Sequence, residues 1–169
     1  MHPLEVEAIL KTMVLAVDTR EQPTERLDRR LKMADLPYKR MKLSAGDYSC
    51  LFTMNDEECD FSTHVAIERK MSLDELAMCF AQERGRFERE FERAFKDGTR
   101  IYLIVENATW EKLYNHQYRS KLPPKALLAS INAFRARYGM QIDFCKEETS
   151  GKLIRDILHY ELREWLLNQ

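Results

Sequence analysis

The sequence predicts an α/β domain with a mixed central sheet flanked by helices. Three observations carry this. The chain has 169 residues, 44% hydrophobic and 33% charged, enough for one core under a charged skin. Apolar runs of about five residues at 13–17 and 101–105 are too short for core helices and read as buried strands. Elsewhere apolar residues recur at helical spacing, so that strands come first and then alternate with helices.

The elements follow in order. Residues 4–11 leave a short helix and a frayed N-terminal arm (residues 1–12) equally open. Residues 13–17 form a strand that ends on Asp18. Pro23 and Thr24 open a helix with Leu27, Leu31 and Ala34 on one face, stopped near Pro37. Residues 38–43 alternate as a strand. A turn through Gly46 and Asp47 leads to a second strand over 48–54, so the two predict a hairpin. An acidic loop at 55–60 and a strand at 64–70 come next. Ser72, with Glu75 three residues on, marks a capped helix start. That helix breaks near Gly85 and resumes with Phe87, Phe91 and Phe95, a core stripe, until Gly98. A short helix at 110–114 precedes a longer one opened by Pro123, carrying Leu127, Ile131, Phe134 and Tyr138 and closed by Gly139. Residues 140–145 are the last strand. Ser150 caps a final helix with Leu153, Ile154, Ile157, Leu158, Leu162, Trp165 and Leu166 in register.

Composition excludes several classes. No apolar run approaches the length of a membrane span, and the N-terminus does not resemble a secretion signal. Four cysteines, none in a Cys-x-x-Cys pair, predict reduced thiols in a cytoplasmic protein. The four histidines lack zinc-ligand spacing. With 27 Lys+Arg against 28 Asp+Glu, the net charge of −1 neither supports nor excludes a nucleic-acid partner, because clustering decides that.

The chemistry concentrates at strand ends. Asp18 closes the first strand and Asp47 sits in the Gly46–Asp47–Tyr48 turn. On the strand at 64–70, Glu68 and Lys70 share one face while Val65 and Ile67 take the other. A carboxylate in a turn followed by Glu-x-Lys on a strand is the arrangement of the PD-(D/E)xK nucleases, whose fold is restriction-endonuclease-like. Asp47 and Glu68 are suited to a hard divalent cation. Two carboxylates at about 4 Å repel by roughly 4 kcal/mol at an effective dielectric near 20, which a cation relieves.

The resemblance goes further. Val17-Asp18-Thr19-Arg20-Glu21, then Gly46-Asp47-Tyr48, then Glu68-Arg69-Lys70 with Asp74 four residues on resemble the signature of the XPF-type structure-specific endonuclease domain (the excision-repair cross-complementation group 4 nuclease domain). The segments after it, Arg84-Gly85-Arg86-Phe87 and the strand ending in Glu106, are also similar, and residues 118–139 resemble standalone bacterial and phage members. The resemblance covers about residues 13–145.

It implies Mg²⁺ or Mn²⁺ held by Asp47 and Glu68, with the Arg69 carbonyl as a third ligand and Lys70 as the catalytic lysine. Asp18 and Asp74 would complete the acidic cluster, as outer ligands or as orienters of Lys70 and Arg69. Arg20, Arg84 and Arg86 would contact phosphate. The implied partner is DNA, branched or with single-strand junctions, in a cytoplasmic, nucleoid-associated setting. Residues 13–169 would form the nuclease domain, and the tail after Cys145 is too short for the helix-hairpin-helix module of many members. The helix at 149–169 carries a broad apolar stripe, with Trp165 near its end, and predicts a homodimer. Two rivals stand beside an endonuclease of repair, recombination or phage DNA processing: a non-catalytic DNA-binding or dimerisation partner, and a sequence-specific restriction-type nuclease. Tyr114, Tyr118, Arg119 and Lys121 offer stacking and phosphate binding, or a plain surface loop.

Overall fold

The computed structural model describes all 169 residues. The elements are α1 (Pro3–Leu10), β1 (Val14–Asp18), α2 (Glu25–Ala34), β2 (Tyr38–Met41), β3 (Tyr48–Met54), β4 (Glu57–Asp60), β5 (Val65–Lys70), α3 (Leu73–Phe80), α4 (Arg84–Lys96), β6 (Arg100–Glu106), α5 (Trp110–Tyr114), α6 (Pro124–Tyr138), β7 (Gln141–Cys145) and α7 (Glu147–Leu167). One mixed sheet runs β2-β1-β3-β5-β6-β7, with β4 on the far half of β3. Pairs β1–β2, β5–β6 and β6–β7 are parallel, whereas β3 runs antiparallel to β1 and β5.

Strand alternation divides the core in two. Val65 and Ile67 point with Leu15, Val17, Tyr48 and Leu158 into a cluster that includes side chains of α1, α2 and α7. Ala66 points the other way, into a cluster with Leu103, Val105, Phe87, Phe91 and Phe134 from the α3, α4 and α6 side. There Phe80, Phe87, Phe91 and Phe134 pack with centroids 4.9 to 5.7 Å apart, edge to face except for the stacked pair Phe87–Phe134. Phe87 and Phe91 of the phenylalanine stripe are core, but Phe95 is exposed.

Three further expectations need correction, and one left open is resolved. β2 does not form a hairpin with β3. It pairs in parallel with β1, Asp18 opposite Met41, and residues 42–47 cross to the other edge of β1. Alternation located the strand, but its solvent-facing residues carry no information about its partner. The acidic segment at 55–60 is a tight turn followed by β4: Asn55 and Asp56 both have positive φ, as a two-residue hairpin turn requires. The N-terminal arm is the helix α1, whose Val6 and Leu10 are buried with the side chains of α7.

The last helix begins at Glu147, three residues before Ser150. Ser150 is buried and donates its hydroxyl to the Glu147 carbonyl at 3.1 Å. Gly151 explains that burial. A Cβ there would overlap the Arg30 carbonyl oxygen and press on Met33, so α7 can approach α2 this closely only at glycine. Gly151→Ala should therefore separate the helices at a cost of about 1–3 kcal/mol. Thermal unfolding should show a loss of roughly 5 °C; an unchanged midpoint would mean the pair slides apart freely. Trp165 is also accounted for within the chain, packed edge-on against Phe52, Phe61 and His64 at 5.9, 5.6 and 5.2 Å.

Candidate active site

The ends of β1 and β5 and the start of β3 meet in mid-sheet, and Asp47 stitches them together. Its N–H donates to the Ile67 carbonyl at 2.7 Å, its carbonyl accepts from the Asp18 N–H at 2.9 Å, and its Oδ2 accepts from the Arg69 N–H at 2.8 Å. The turn depends on Gly46: its φ is +72°, and a Cβ would sit 2.9 Å from the Ile67 oxygen. On the next strand Glu68 is 8% exposed, and Lys70 Nζ lies 2.6 Å from Glu68 Oε1. Lys70 also sits 5.4 Å over the Phe87 ring, which supports the ammonium from below.

These charges perturb one another. Burial, then the charges of Glu68 and Glu21, push Asp47 well above the ordinary carboxylate range. Burial also raises Glu68, and Glu90 adds to this against the opposing pull of Lys70. Burial works against the Lys70 ammonium, but the Glu68 carboxylate outweighs it and holds Lys70 above the usual lysine value.

Asp18 and Asp74 are engaged elsewhere, and no group of three acidic, histidine or cysteine side chains converges closely enough to hold a metal. Asp18 is fully buried. Its Oδ1 accepts from the Arg20 N–H at 2.9 Å and Nε at 2.6 Å, and its Oδ2 accepts from the Leu43 N–H at 2.7 Å. Burial raises its pKa, but these donors prevail and hold the carboxyl below the ordinary range. Asp74 binds the loop before α6, accepting from the Ser120 N–H at 2.7 Å. Neither fits the expected acidic cluster.

The basic residues also divide. Arg69 points its side chain to the opposite face of the sheet, so only its backbone belongs to the Asp47 side. Arg84 is half-buried, donates to Ser130 Oγ at 2.9 Å and ties α4 to α6. Arg20 keeps an exposed guanidinium beside Asp18, and Arg86 is exposed without an ion pair. Sequence reasoning missed Glu90, whose Oε1 accepts from the Gly46 N–H at 3.3 Å. It stood among alternating surface charges, and its only signal was its place beside the buried Phe91.

Behind the site lies a buried network that sequence reasoning also missed. Arg30 donates to Glu106 Oε1 at 3.2 Å and to the Tyr48 hydroxyl at 2.9 Å. Arg69 donates to Glu106 Oε2 at 3.1 Å, and Tyr48 donates to Glu21 Oε2 at 2.5 Å. Glu21, Tyr48 and Arg69 belong to the quoted signature and Glu106 closes β6, so Arg30 alone lies outside it, and the network gives Glu21 a structural role.

The ERCC4 domain family matches residues 17–156, spanning every element described above except α1 and parts of β1 and α7. The chain belongs to the ERCC4 domain family. Among solved structures this ERCC4 domain is similar to XPF from Aeropyrum pernix, with TM-score 0.62 and 20% identity over 87% of this chain and 60% of that one. It is also similar to XPF from Aeropyrum pernix in complex with DNA, with TM-score 0.59 and 20% identity over 92% of this chain and 65% of that one. The chain thus spans under two thirds of the length of those proteins. No curated protein matches it in sequence. The likeness concerns the fold: the mixed α/β architecture expected from the sequence, a central sheet flanked by helices, is shared with XPF from Aeropyrum pernix.

Proposed function

We propose that this ERCC4 domain is a divalent-cation-dependent DNA endonuclease that hydrolyses phosphodiester bonds beside branches or flaps, in repair, recombination or phage DNA processing. The observation that carries the reading is the meeting of Asp47, Glu68 and Lys70 at one sheet end. The residues fit a cation. Asp47 gives one oxygen to the Arg69 N–H and Glu68 gives one to Lys70, and the second oxygen of each has no protein donor. Burial first, and neighbouring carboxylates after it, raise both pKa values, a penalty on the ionised forms that a bound cation would relieve. Mg²⁺ or Mn²⁺ needs only one or two carboxylates besides water and phosphate, with the Arg69 carbonyl as a further donor.

A cation held there supplies Lewis-acid polarisation of the scissile phosphate and acidifies the attacking water. Lys70 stays protonated and stabilises charge that develops on the phosphate oxygens. Phe87 beneath it restricts its movement. Asp18 holds the loop that carries Leu43, and through its N–H holds Asp47. Arg20 and Arg86 lie exposed to contact the strand. No helix is long and apolar enough to cross a membrane, and the reading places the protein in the cytoplasm with DNA.

Pairing of two copies is the finer part of the reading. With Trp165 covered by its own sheet, the contact would reduce to the outer strip of α7 at Leu153, Ile157 and Tyr160. Sedimentation at micromolar concentration checks it, and a monomer mass at every concentration removes the pair.

The enzyme reading is tested on flap, fork, junction, single-stranded and duplex DNA with Mg²⁺, Mn²⁺ or EDTA. Cleavage should require the cation and fall at one structural position whatever the sequence. Cleavage fixed by sequence would favour the restriction-type rival, and binding without cleavage the non-catalytic partner.

A further inference from the structure

From Lys112 to Ile142 the chain holds six basic residues and no acid, although 28 Asp+Glu are spread over the whole. The stretch covers most of α5, the loop after it and all of α6. Elsewhere many basic side chains are neutralised by neighbours, as in Arg100–Glu161, Arg29–Glu147 and Lys39–Glu58. Here Lys112, Lys121, Lys125 and Arg135 are exposed and form no ion pair, and Arg119, 95% exposed, has only a 3.6 Å contact with Asp74. Tyr114 stands exposed among them.

The stretch is also held in place. His116 Nε2 lies 2.8 Å from the Ser120 carbonyl, and the Tyr118 hydroxyl donates to the Leu122 carbonyl at 2.7 Å. The Ser120 N–H on Asp74 fastens the loop four residues beyond Lys70. Inner residues of α6, Leu127, Ile131 and Phe134, share a cluster with Phe87, the ring under Lys70. The basic surface therefore begins at the candidate active site, on the same face of the sheet. Hydrogen bonds within the chain fix the loop, and a surface fixed in this way is ordered at a lower entropic cost on binding.

We infer that the loop between α5 and α6, with the start of α6, is a ledge that grips the phosphate backbone of the DNA arm leading away from the cut. The inference rests on the endonuclease reading for the nature of its ligand. Of the six, only Arg137 is closely paired, to Glu88 at 2.7 Å, and a run of exposed, mostly unpaired cations suits a polyanion contacted through its backbone. A second copy of this chain is a poor occupant, because twofold pairing would set like charges against each other.

The test uses the Glu68→Gln protein, so that binding is read without cleavage, with labelled flap and duplex DNA by fluorescence anisotropy across a salt series. Each phosphate neutralised contributes about 0.9 to the slope of log affinity against log salt. Adding Arg119→Gln, Lys121→Gln and Lys125→Gln should flatten the slope by about two to three units and weaken binding at least about tenfold near 0.1 M salt. The same change at Lys152 and Arg155 of α7 should leave the slope in place. An unchanged slope in the triple variant, an equal effect from the α7 pair, or an effect only on self-association overturns the ledge. The two readings can be told apart. A flattened slope with no cleavage by the unsubstituted protein on any substrate keeps the ledge and removes the enzyme. Cleavage with an unchanged slope does the reverse.

Discussion

Asp47→Asn should abolish cation-dependent cleavage while raising thermal stability in cation-free buffer at neutral pH. The two effects have one cause. Burial and the neighbouring charges of Glu68 and Glu21 raise the Asp47 pKa in the folded chain. A carboxyl with a raised folded-state pKa binds more protons folded than unfolded, so its stabilising protonation is complete at low pH and is lost as pH rises through the folded value. Above it, the folded chain carries a buried charge that the unfolded chain hydrates freely. Asparagine keeps the oxygen that accepts the Arg69 N–H and removes that charge. The gain should be a few degrees in the midpoint, growing as pH rises above the ordinary carboxylate range and vanishing below it. Cleavage should fall by about 10³ or more, corresponding to roughly 4 kcal/mol of lost transition-state stabilisation. Calorimetry with and without Mn²⁺ separates the roles: the cation should raise the midpoint of the native chain and leave that of the variant unmoved. A variant less stable at every pH, or one that still cleaves, contradicts the assignment.

The same physics explains what was legible in the sequence. Period-two alternation placed Glu68 and Lys70 on one face and Arg69 on the other, and the chain folds that way. The apolar runs that became β1 and β6 were found because burial on both faces leaves a continuous signature. What escaped is non-local. Nothing within residues 38–43 says that β2 lies beside β1 rather than β3, and nothing near Asp74 says that its oxygen meets the Ser120 N–H, 46 residues away. The tie of Arg84 to Ser130 was unreadable for the same reason, since Ser130 lies on another helix. The family signature names which charged residues belong together but not the order in which they bond. Asp18 thus holds backbone, and Glu90, outside the signature, reaches the site.

Glu106→Ala should be the most damaging single change in the fold. Glu106 and Arg30 have side chains only 2% and 3% exposed, and the Glu106 carboxylate bridges the guanidinium groups of Arg30 and Arg69. Removing it leaves two buried cations that only Glu21 partly compensates, at 3.5 and 3.8 Å. Breaking a buried pair from one side costs about 3–5 kcal/mol, because the remaining charge is stranded rather than because the pair was strongly favourable. Urea unfolding should show that loss, and Glu106→Gln, which keeps two polar atoms, should show less. Adding Arg30→Met to Glu106→Ala should restore part of the stability by removing one stranded charge, a coupling that a double-mutant cycle reads directly. Arg69 links this network to the site, since its N–H holds the Asp47 carboxylate. Turnover of the folded Glu106→Gln protein should therefore fall while its DNA affinity, set on the other face of the sheet, stays near native. Equal loss in Glu106→Ala and in the double variant, with turnover undisturbed in Glu106→Gln, would reduce the network to ordinary packing with no hold on the site.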